Sequence, residues 1–345
     1  MTTLPPLPPQ PAGTPFPTQD WPLAEIPAAA DRARLMRLVD HAFAGPETAD
    51  LQQTHALVIV QHGRLLFERY TQGRGATDTF PSWSMAKSIT HALVGMLVKD
   101  GKLDIYAAPR VPEWQTPGDP RRAITLDLLL RMSSGLAFVE EYLPEKPSDV
   151  IAMLFGEGKD DVAHFAASFP LAHKPGSFWS YSSGTSNIVA RIAAQAAGVN
   201  GPTFEAFMRK RLFAPLGMRS PEPKFDTAGN FIGSSYCFCT AQDFARFGLL
   251  YMRGGVWDGA RLLPPGWVDY ARTPTWQQPV EQGRYGAHWW LDIAGEGSFS
   301  ANGYEGQFTV IVPQKDLIIV RHGASDADHI ENVKTWIADI ANCFV

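Results

Sequence analysis

A serine and a lysine three residues apart, Ser84 and Lys87, stand at the start of a strongly apolar segment. In a helix, residues three apart lie on one face about one turn from each other, so the amine can reach the hydroxyl without tertiary structure. Desolvation and the positive end of the helix dipole both favour the neutral amine. A neutral amine can take the serine proton and so activate the oxygen for attack on a carbonyl carbon. We therefore expect Ser84 to be a nucleophile and Lys87 its base.

The segment after Ser84 has the pattern of a buried helix. Its apolar residues recur at helical spacing as Ile89, Leu93, Met96 and Leu97. Its polar residues form one stripe over the first two turns, namely Ser84, Lys87, Ser88 and His91. We expect this stripe to form the floor of a cleft. His91 lies about 10 Å beyond Ser84 along the axis, too far for a direct hydrogen bond, and is expected in the core.

A second polar run extends from Trp179 to Asn187, just before another helical pattern. Much of it is explained as a helix cap, for which Ser183, Thr185 or Ser186 is suitable. The cap leaves Tyr181 unexplained. Its phenol would be a proton shuttle if a cationic amine lay against it and lowered its pKa. On this run alone, a structural role for Tyr181 is the simpler interpretation.

Two closely spaced glycines, Gly303 and Gly306, lead into a predicted strand. Glycine at such a place often marks a close backbone approach. Acyl transfer needs two donors aimed at the developing oxyanion, and the N–H groups of Tyr304 and Ser84 are candidates for them. A plain glycine turn is the alternative interpretation.

Composition limits the class of protein. The chain has 345 residues, of which 45% are hydrophobic and 19% charged, with a net charge of −5. These values are typical of a globular protein and give no reason to expect a nucleic-acid partner. The N-terminus lacks the pattern of a signal peptide, and no segment reaches the roughly 18 uncharged apolar residues of a membrane span, so we expect a cytoplasmic protein without a membrane partner.

Cysteine usage points away from a metal site. The three cysteines cannot all pair, and Cys237-Phe238-Cys239 lacks a second Cys/His pair at zinc-like spacing. We therefore expect buried thiols, no bound metal and no cofactor. The oligomeric state cannot be read from the sequence.

The order of predicted elements indicates an α+β fold. A proline-rich arm, residues 1–27, should lie on the domain or be partly disordered. Strands are predicted at 56–60, 65–70, 285–293, 307–312 and 317–321, and helices at 31–43, 126–131, 148–155, 162–169, 186–197, 204–213 and 331–341. Both chain ends would then build one antiparallel sheet flanked by helices. We expect a single unit, 28–345, with a sheet subdomain of 28–83 plus 235–345 and an inserted, mainly helical subdomain of 84–234.

These features, in this order, resemble the S-x-x-K, Y-x-N and K-T-G elements of the serine β-lactamase and penicillin-binding-protein superfamily, in its class C-like branch. The chain looks most similar to the 6-aminohexanoate-dimer hydrolases and the β-lactamase-like esterases. The likeness runs from about Asp31 to the C-terminus and includes Ile124–Leu136, Ala214–Met218 and Thr240–Arg246. It implies a β-lactamase/transpeptidase-like fold with Ser84 acylated, Lys87 as base and Tyr181 as proton relay. It also implies an oxyanion hole formed by the N–H groups of Ser84 and Tyr304.

The resemblance further implies a set of substrate-binding residues: Tyr142, Ser183, Ser234, Asn302 and Gly303. Tyr142 falls where the dimer hydrolases carry a tyrosine on a mobile loop, and Ser234 where they carry an asparagine. The chain departs from the family where Ser183 replaces the asparagine of Y-x-N and Ala301-Asn302-Gly303 replaces K-T-G. Without a cation at 301 the site should be neutral, which disfavours carboxylate-bearing β-lactams. An amino group is a possible ligand of three acidic residues, Glu140, Glu141 and Glu305.

The sequence therefore predicts a serine hydrolase that cleaves a small carboxylic ester or linear amide through an acyl-enzyme. The chain has neither a G-x-S-x-G nucleophile elbow nor an H-E-x-x-H helix. Two alternatives remain. One is β-lactamase or D-Ala-D-Ala peptidase-type activity, and the other is a catalytically silent binding protein on the same fold.

Overall fold

The computed structural model describes residues 4–45, 50–141, 148–276 and 284–345. Its strands are β1 Gln53–Gln61, β2 Arg64–Tyr70, β3 Glu222–Pro223, β4 Cys237–Phe238, β5 Val256–Trp257, β6 Ala260–Arg261, β7 Arg284–Tyr285, β8 Trp290–Leu291, β9 Phe299–Gly303, β10 Gln307–Val312 and β11 Leu317–Ala324. Its helices are α1 Arg32–Ala42, α2 Ala86–Lys99, α3 Leu126–Leu130, α4 Asp149–Phe155, α5 Val162–Ala167, α6 Ser183–Ala197, α7 Pro202–Met208, α8 Ala214–Leu216, α9 Ala241–Met252, α10 Trp267–Arg272 and α11 Ile330–Asn342. A short π-helical stretch, Arg209–Phe213, joins α7 to α8.

Both chain ends contribute to one antiparallel sheet, in the order β2-β1-β11-β10-β9-β8-β7. Successive side chains of a strand point to opposite faces, so each central strand feeds two cores. Leu57 and Ile59 of β1 pack towards α1 and α11. Val58 and Val60 of the same strand belong to the larger core with α2 and α9. This arrangement confirms the predicted α+β fold; the division into two subdomains stays a prediction.

One predicted strand, 285–293, is wrong. The chain there forms a hairpin of two short strands, β7 and β8, that pair through Tyr285 and Trp290. Between them, Gly286 passes so close to α10 that a Cβ atom would lie 1.9 Å from the Ala271 carbonyl oxygen. His288 has a φ of 57° and turns its ring inwards to the Leu130 carbonyl oxygen, at 2.8 Å. These long-range contacts bend a segment whose apolar pattern suggests one strand.

The start of α6 also differs from the prediction. The N-cap is Ser182, whose hydroxyl accepts a hydrogen bond from the Thr185 N–H at 3.0 Å. Ser183 is therefore the first helical residue rather than the cap. Because the helix starts earlier than predicted, Ser183 belongs to its first turn. The backbone N–H and the hydroxyl of Ser183 both face Glu140.

The described part of the N-terminal arm lies along the domain. Buried arginines of the later helices donate to its carbonyl groups: Arg246 Nε to Pro17 at 2.8 Å and Arg272 Nη2 to Pro5 at 2.6 Å.

All three cysteines are free and buried. In the described ranges, no group of three or more His, Cys, Asp or Glu residues could hold a metal ion, and no helix is long and apolar enough to cross a membrane.

Candidate active site

Ser84 lies in a single 3₁₀ turn, Trp83–Met85, that leads directly into α2. The residue before it, Trp83, has a φ of 42°, a conformation that is strained for a side chain of this size. Its indole donates to Glu305 Oε2 at 3.3 Å and packs edge-on against the Tyr304 ring, with 5.7 Å between centroids. These contacts hold the turn in place, and backbone strain of this kind clusters at functional sites.

Lys87 occupies the first turn of α2 and is 1% exposed. Its Nζ atom lies 2.9 Å from Ser84 Oγ, 2.9 Å from Ser183 Oγ and 3.0 Å from the Ser234 carbonyl oxygen. Burial lowers the pKa of Lys87 to about 8, while the nearby Glu140 carboxylate acts in the opposite direction. The geometry therefore brings a lysine that loses its proton near neutral pH against the hydroxyl of Ser84.

Tyr181 completes the contacts around Ser84. Lys87 Nζ lies 4.8 Å from the centroid of its ring, and its phenol lies near the Ser84 and Trp290 side chains. Burial, and then the charge of Glu140, raise the pKa of Tyr181 well above its usual value. The amine lies against the ring, but the pKa is raised rather than lowered, because desolvation dominates. The phenol stays protonated at neutral pH.

Beyond the first turn of α2, the polar stripe does not form the floor of a cleft, contrary to the prediction. Ser88 is 1% exposed and donates to the His288 carbonyl oxygen at 2.8 Å. His91 is fully buried, and its Nδ1 atom lies 2.8 Å from the Tyr251 hydroxyl. The β7–β8 hairpin and α9 cover this face, so of the stripe only Ser84 reaches the cavity.

Ser183 and Ser234 contact Lys87 and do not line the cavity. Ser183 is 1% exposed, accepts from Lys87 and donates from its own hydroxyl to Glu140 Oε1 at 2.7 Å. Ser234 is fully buried and contacts the lysine through its backbone carbonyl. Its side chain pairs instead with Ser235, at 2.8 Å between the hydroxyl oxygens. A substrate-binding role for the two serines stays a prediction.

The third predicted element lies at the end of β9. Asn302 and Gly303 line the cavity beside Ser84, together with Tyr304. The Asn302 side-chain oxygen accepts from Ser300 Oγ at 2.7 Å. Tyr142 falls outside the described residues. The structure thus brings the ends of β9 and of the Ser84 turn to one cavity, as the predicted oxyanion hole requires.

A buried arginine supports the turn that contains Tyr304. Arg321, on β11, is fully buried and donates to the carbonyl oxygens of Glu305 at 3.2 Å and Gly306 at 2.8 Å. The Gln307 amide donates to the Tyr304 carbonyl oxygen at 3.2 Å. Glu305 has a φ of 60°, so the turn needs such external support. These bonds hold the carbonyl groups away from the cavity and fix the backbone around Tyr304.

Gly303 allows β9 to approach the Ser84 turn, and replacing it with alanine should separate them. A Cβ atom there would lie 2.3 Å from the Ser82 carbonyl oxygen. We expect Gly303→Ala to lower protein stability by about 1–3 kcal/mol, the usual effect of overpacking, and to reduce the predicted esterase activity. Thermal unfolding and turnover of p-nitrophenyl acetate test this. Gly75→Ala is the control, since a Cβ at Gly75 meets nothing within 4 Å; equal behaviour of the two variants would contradict the prediction.

The cavity over Ser84 has a volume of about 210 Å³. Its lining residues come from distant parts of the chain: Ser84, Glu140, Tyr181, Trp290, Asn302, Gly303, Tyr304, Phe308, Ile330 and Lys334. Four of these residues cannot be predicted from the sequence, because no local spacing links them to Ser84: Trp290, Phe308, Ile330 and Lys334. Lys334 also pairs with Glu331 at 2.7 Å. The expectation of a neutral site is therefore wrong, since the wall carries both a carboxylate and an ammonium group.

Comparison with known proteins identifies the family of this chain. A family model described as Beta-lactamase matches residues 47–336. The 6-aminohexanoate-dimer hydrolase of Paenarthrobacter ureafaciens is 24% identical over 288 residues, which cover 78% of this chain and 72% of that protein.

Two solved structures share the fold. A penicillin-binding protein homologue from Caulobacter crescentus superposes with a TM-score of 0.70 at 16% identity, over 92% of this chain and 98% of that one. A family VIII carboxylesterase superposes with a TM-score of 0.67 at 14% identity, over 90% of this chain and 98% of that one. The predicted family resemblance is confirmed, and the chain belongs to the beta-lactamase family of serine hydrolases.

Proposed function

We propose that this protein cleaves a small carboxylic ester or linear amide through an acyl-enzyme on Ser84, with Lys87 as base and Tyr181 as proton relay. The observation that carries the proposal is the buried Lys87 amine, 2.9 Å from Ser84 Oγ. Burial brings the pKa of this amine to about 8, so a useful fraction is neutral at neutral pH. A general base is most effective when its pKa lies near the working pH.

Acylation starts with transfer of the Ser84 hydroxyl proton to Lys87 Nζ. The serine oxygen then forms a bond to the carbonyl carbon of the substrate, and an electron pair moves onto the carbonyl oxygen. The backbone N–H groups of Ser84 and Tyr304 are the donors that we assign to this oxyanion. Their fixed positions, on the 3₁₀ turn and at the end of β9, support the assignment.

Collapse of the intermediate breaks the bond to the leaving alkoxide or amine, which takes a proton from the Tyr181 phenol. The raised pKa of Tyr181 keeps that proton in place until it is needed. The Lys87 ammonium then returns a proton to the phenolate. Water attacks the acyl carbonyl by the same route, and release of the carboxylic acid regenerates Ser84.

β-Lactamase or D-Ala-D-Ala peptidase-type activity is the second candidate, and one observation favours it. Lys334 places an ammonium group on the cavity wall, although Ala301 supplies none. An ammonium group can pair with the carboxylate that such substrates carry. The carboxylate of Glu140 on the same wall opposes an anionic substrate, so we keep the ester or amide as the main proposal. A silent binding protein is disfavoured because Ser84, Lys87 and Tyr181 remain in contact.

Mass spectrometry of the acylated protein tests the proposal. The protein is incubated with p-nitrophenyl acetate, a short linear amide or a β-lactam, quenched in acid and digested. We expect the ester to add the mass of an acetyl group to the peptide that contains Ser84. Turnover without that adduct, or an adduct confined to another peptide, contradicts the proposal. An adduct formed by the β-lactam alone supports the second candidate.

A further inference from the structure

We propose that Glu140 is a positioning residue of this site: its carboxylate fixes the Ser183 hydroxyl as a hydrogen-bond acceptor towards Lys87, which aims the lysine lone pair at Ser84. The inference rests on the proposed function, since it concerns how the base is directed. It adds a residue that is distant in sequence from each of the three motifs.

The hydrogen bonds around Ser183 have only one possible direction. Glu140 Oε1 accepts from Ser183 Oγ at 2.7 Å, and Glu140 Oε2 accepts from the Ser183 backbone N–H. An ionised carboxylate can only accept, so the single hydroxyl proton of Ser183 is directed to Glu140. The oxygen of Ser183 therefore presents only lone pairs to Lys87 Nζ, 2.9 Å away.

This direction determines the orientation of the lysine. A neutral amine has two hydrogens and one lone pair. The Ser234 carbonyl oxygen, at 3.0 Å, takes one hydrogen because a carbonyl group is always an acceptor. Ser183 Oγ takes the other as long as its own proton points to Glu140. The lone pair is then left facing Ser84 Oγ, at 2.9 Å. A reversed Ser183 hydroxyl would donate to the amine and occupy that lone pair.

Packing against α6 holds Glu140 in this position. Phe138, two residues earlier, is 4% exposed and lies over Gly184, where a Cβ atom would come within 2.7 Å of its ring. The Val139 N–H donates to Asp149 Oδ2 at 2.7 Å. The carboxylate of Glu140 itself caps the first N–H of α6, where the helix dipole favours negative charge. The packing of Phe138, the hydrogen bond of the Val139 N–H and the start of α6 therefore all favour one position of the Glu140 carboxylate.

Glu140 also sets the charge that acts on Lys87. The titratable groups that face Lys87 are Glu140, Tyr181 and His288. Burial lowers the pKa of His288 to about 3 and raises that of Tyr181, so both are neutral near pH 8. The Glu140 carboxylate raises the pKa of Lys87 against the effect of burial. Removing its charge should therefore lower the pKa of Lys87.

Glu140→Gln tests the inference, with Glu157→Gln as the same chemical change at an exposed glutamate that does not line the cavity. A glutamine can donate its amide N–H to Ser183 Oγ and so reverse the hydroxyl. We expect kcat for p-nitrophenyl acetate, measured on the high-pH plateau, to fall by about 10- to 100-fold with little change in KM. We expect the pKa of Lys87, followed by NMR of ¹⁵N-lysine-labelled protein, to fall as well. Glu157→Gln should leave both values unchanged.

A double-mutant cycle tests whether Glu140 acts through Ser183. Ser183→Ala should lower the plateau kcat, and adding Glu140→Gln to it should cause less than about a twofold further loss, because the hydroxyl to be oriented is gone. Losses that multiply would overturn the inference. So would an unchanged plateau kcat, or a Lys87 pKa in Glu140→Gln equal to that in Glu157→Gln. The NMR measurement does not need turnover. It therefore tests the effect of Glu140 on Lys87 even if Ser84→Ala proves active and the proposed function fails.

Discussion

Alanine in place of Ser84 should abolish the proposed esterase activity. We expect kcat for p-nitrophenyl acetate to fall by about 10⁴-fold or more, because the variant has no oxygen on which to form the acyl-enzyme. The fold should persist, since the 3₁₀ turn is also held by the contacts of Trp83 with Glu305 and Tyr304. Steady-state kinetics and a thermal unfolding curve measure the two expectations.

Ser88→Ala is the matched control for this experiment. Ser88 lies on the same helix, is buried and donates to the His288 carbonyl oxygen, but does not line the cavity. Its loss should cost about 1 kcal/mol of stability and leave kcat within a few-fold of the wild type. A Ser84→Ala variant as active as Ser88→Ala would contradict the nucleophile assignment, and a wild type without turnover would favour the silent binding protein.

The Ser84–Lys87 pair could be predicted because it depends on local geometry alone. Three residues along a helix fix the distance between two side chains whatever the rest of the chain does. The same holds for α1, where Asp31 caps the helix at the predicted place by accepting from the Arg34 N–H. β10 begins and ends where the apolar pattern predicts, at Gln307 and Val312.

The cavity wall could not be predicted, since it depends on packing between distant segments. Glu140 reaches α6, 43 residues further along the chain, because Phe138 packs over Gly184. Lys334 reaches the same cavity from α11, which follows the last strand of the sheet. No periodicity in the sequence connects these residues to Ser84. The charge of the site was therefore mispredicted from position 301 alone.

The pKa of Tyr181 depends on the assembled site for a related reason. The local sequence offers a proton-shuttle role only on the condition that an amine lowers the phenol pKa. The fold partly buries Tyr181 and places Glu140 near it, and both effects raise the pKa. Burial and long-range charge are properties of the assembled site, which no local pattern in the sequence reports.

Methionine in place of Lys87 should remove the base while nearly keeping the volume of the side chain. We expect kcat for p-nitrophenyl acetate to fall by about 10²- to 10⁴-fold, the usual contribution of a general base. Ser183 Oγ and the Ser234 carbonyl oxygen would each lose a buried donor, so stability should also drop by about 1–3 kcal/mol. Lys99→Met, at the exposed end of the same helix, is the control and should retain full activity.

The pH profile of the wild-type enzyme provides the independent check on this assignment. Because catalysis needs the neutral amine, kcat/KM should rise with pH and level off above an apparent pKa of about 8, the value to which burial lowers Lys87. His288, with its pKa near 3, and Tyr181, with its raised pKa, should not titrate in this range. The residual activity of Lys87→Met should lack the rise near pH 8. A wild-type profile that is flat from pH 6 to 10, or a Lys87→Met profile that keeps the rise, would assign the base to another group.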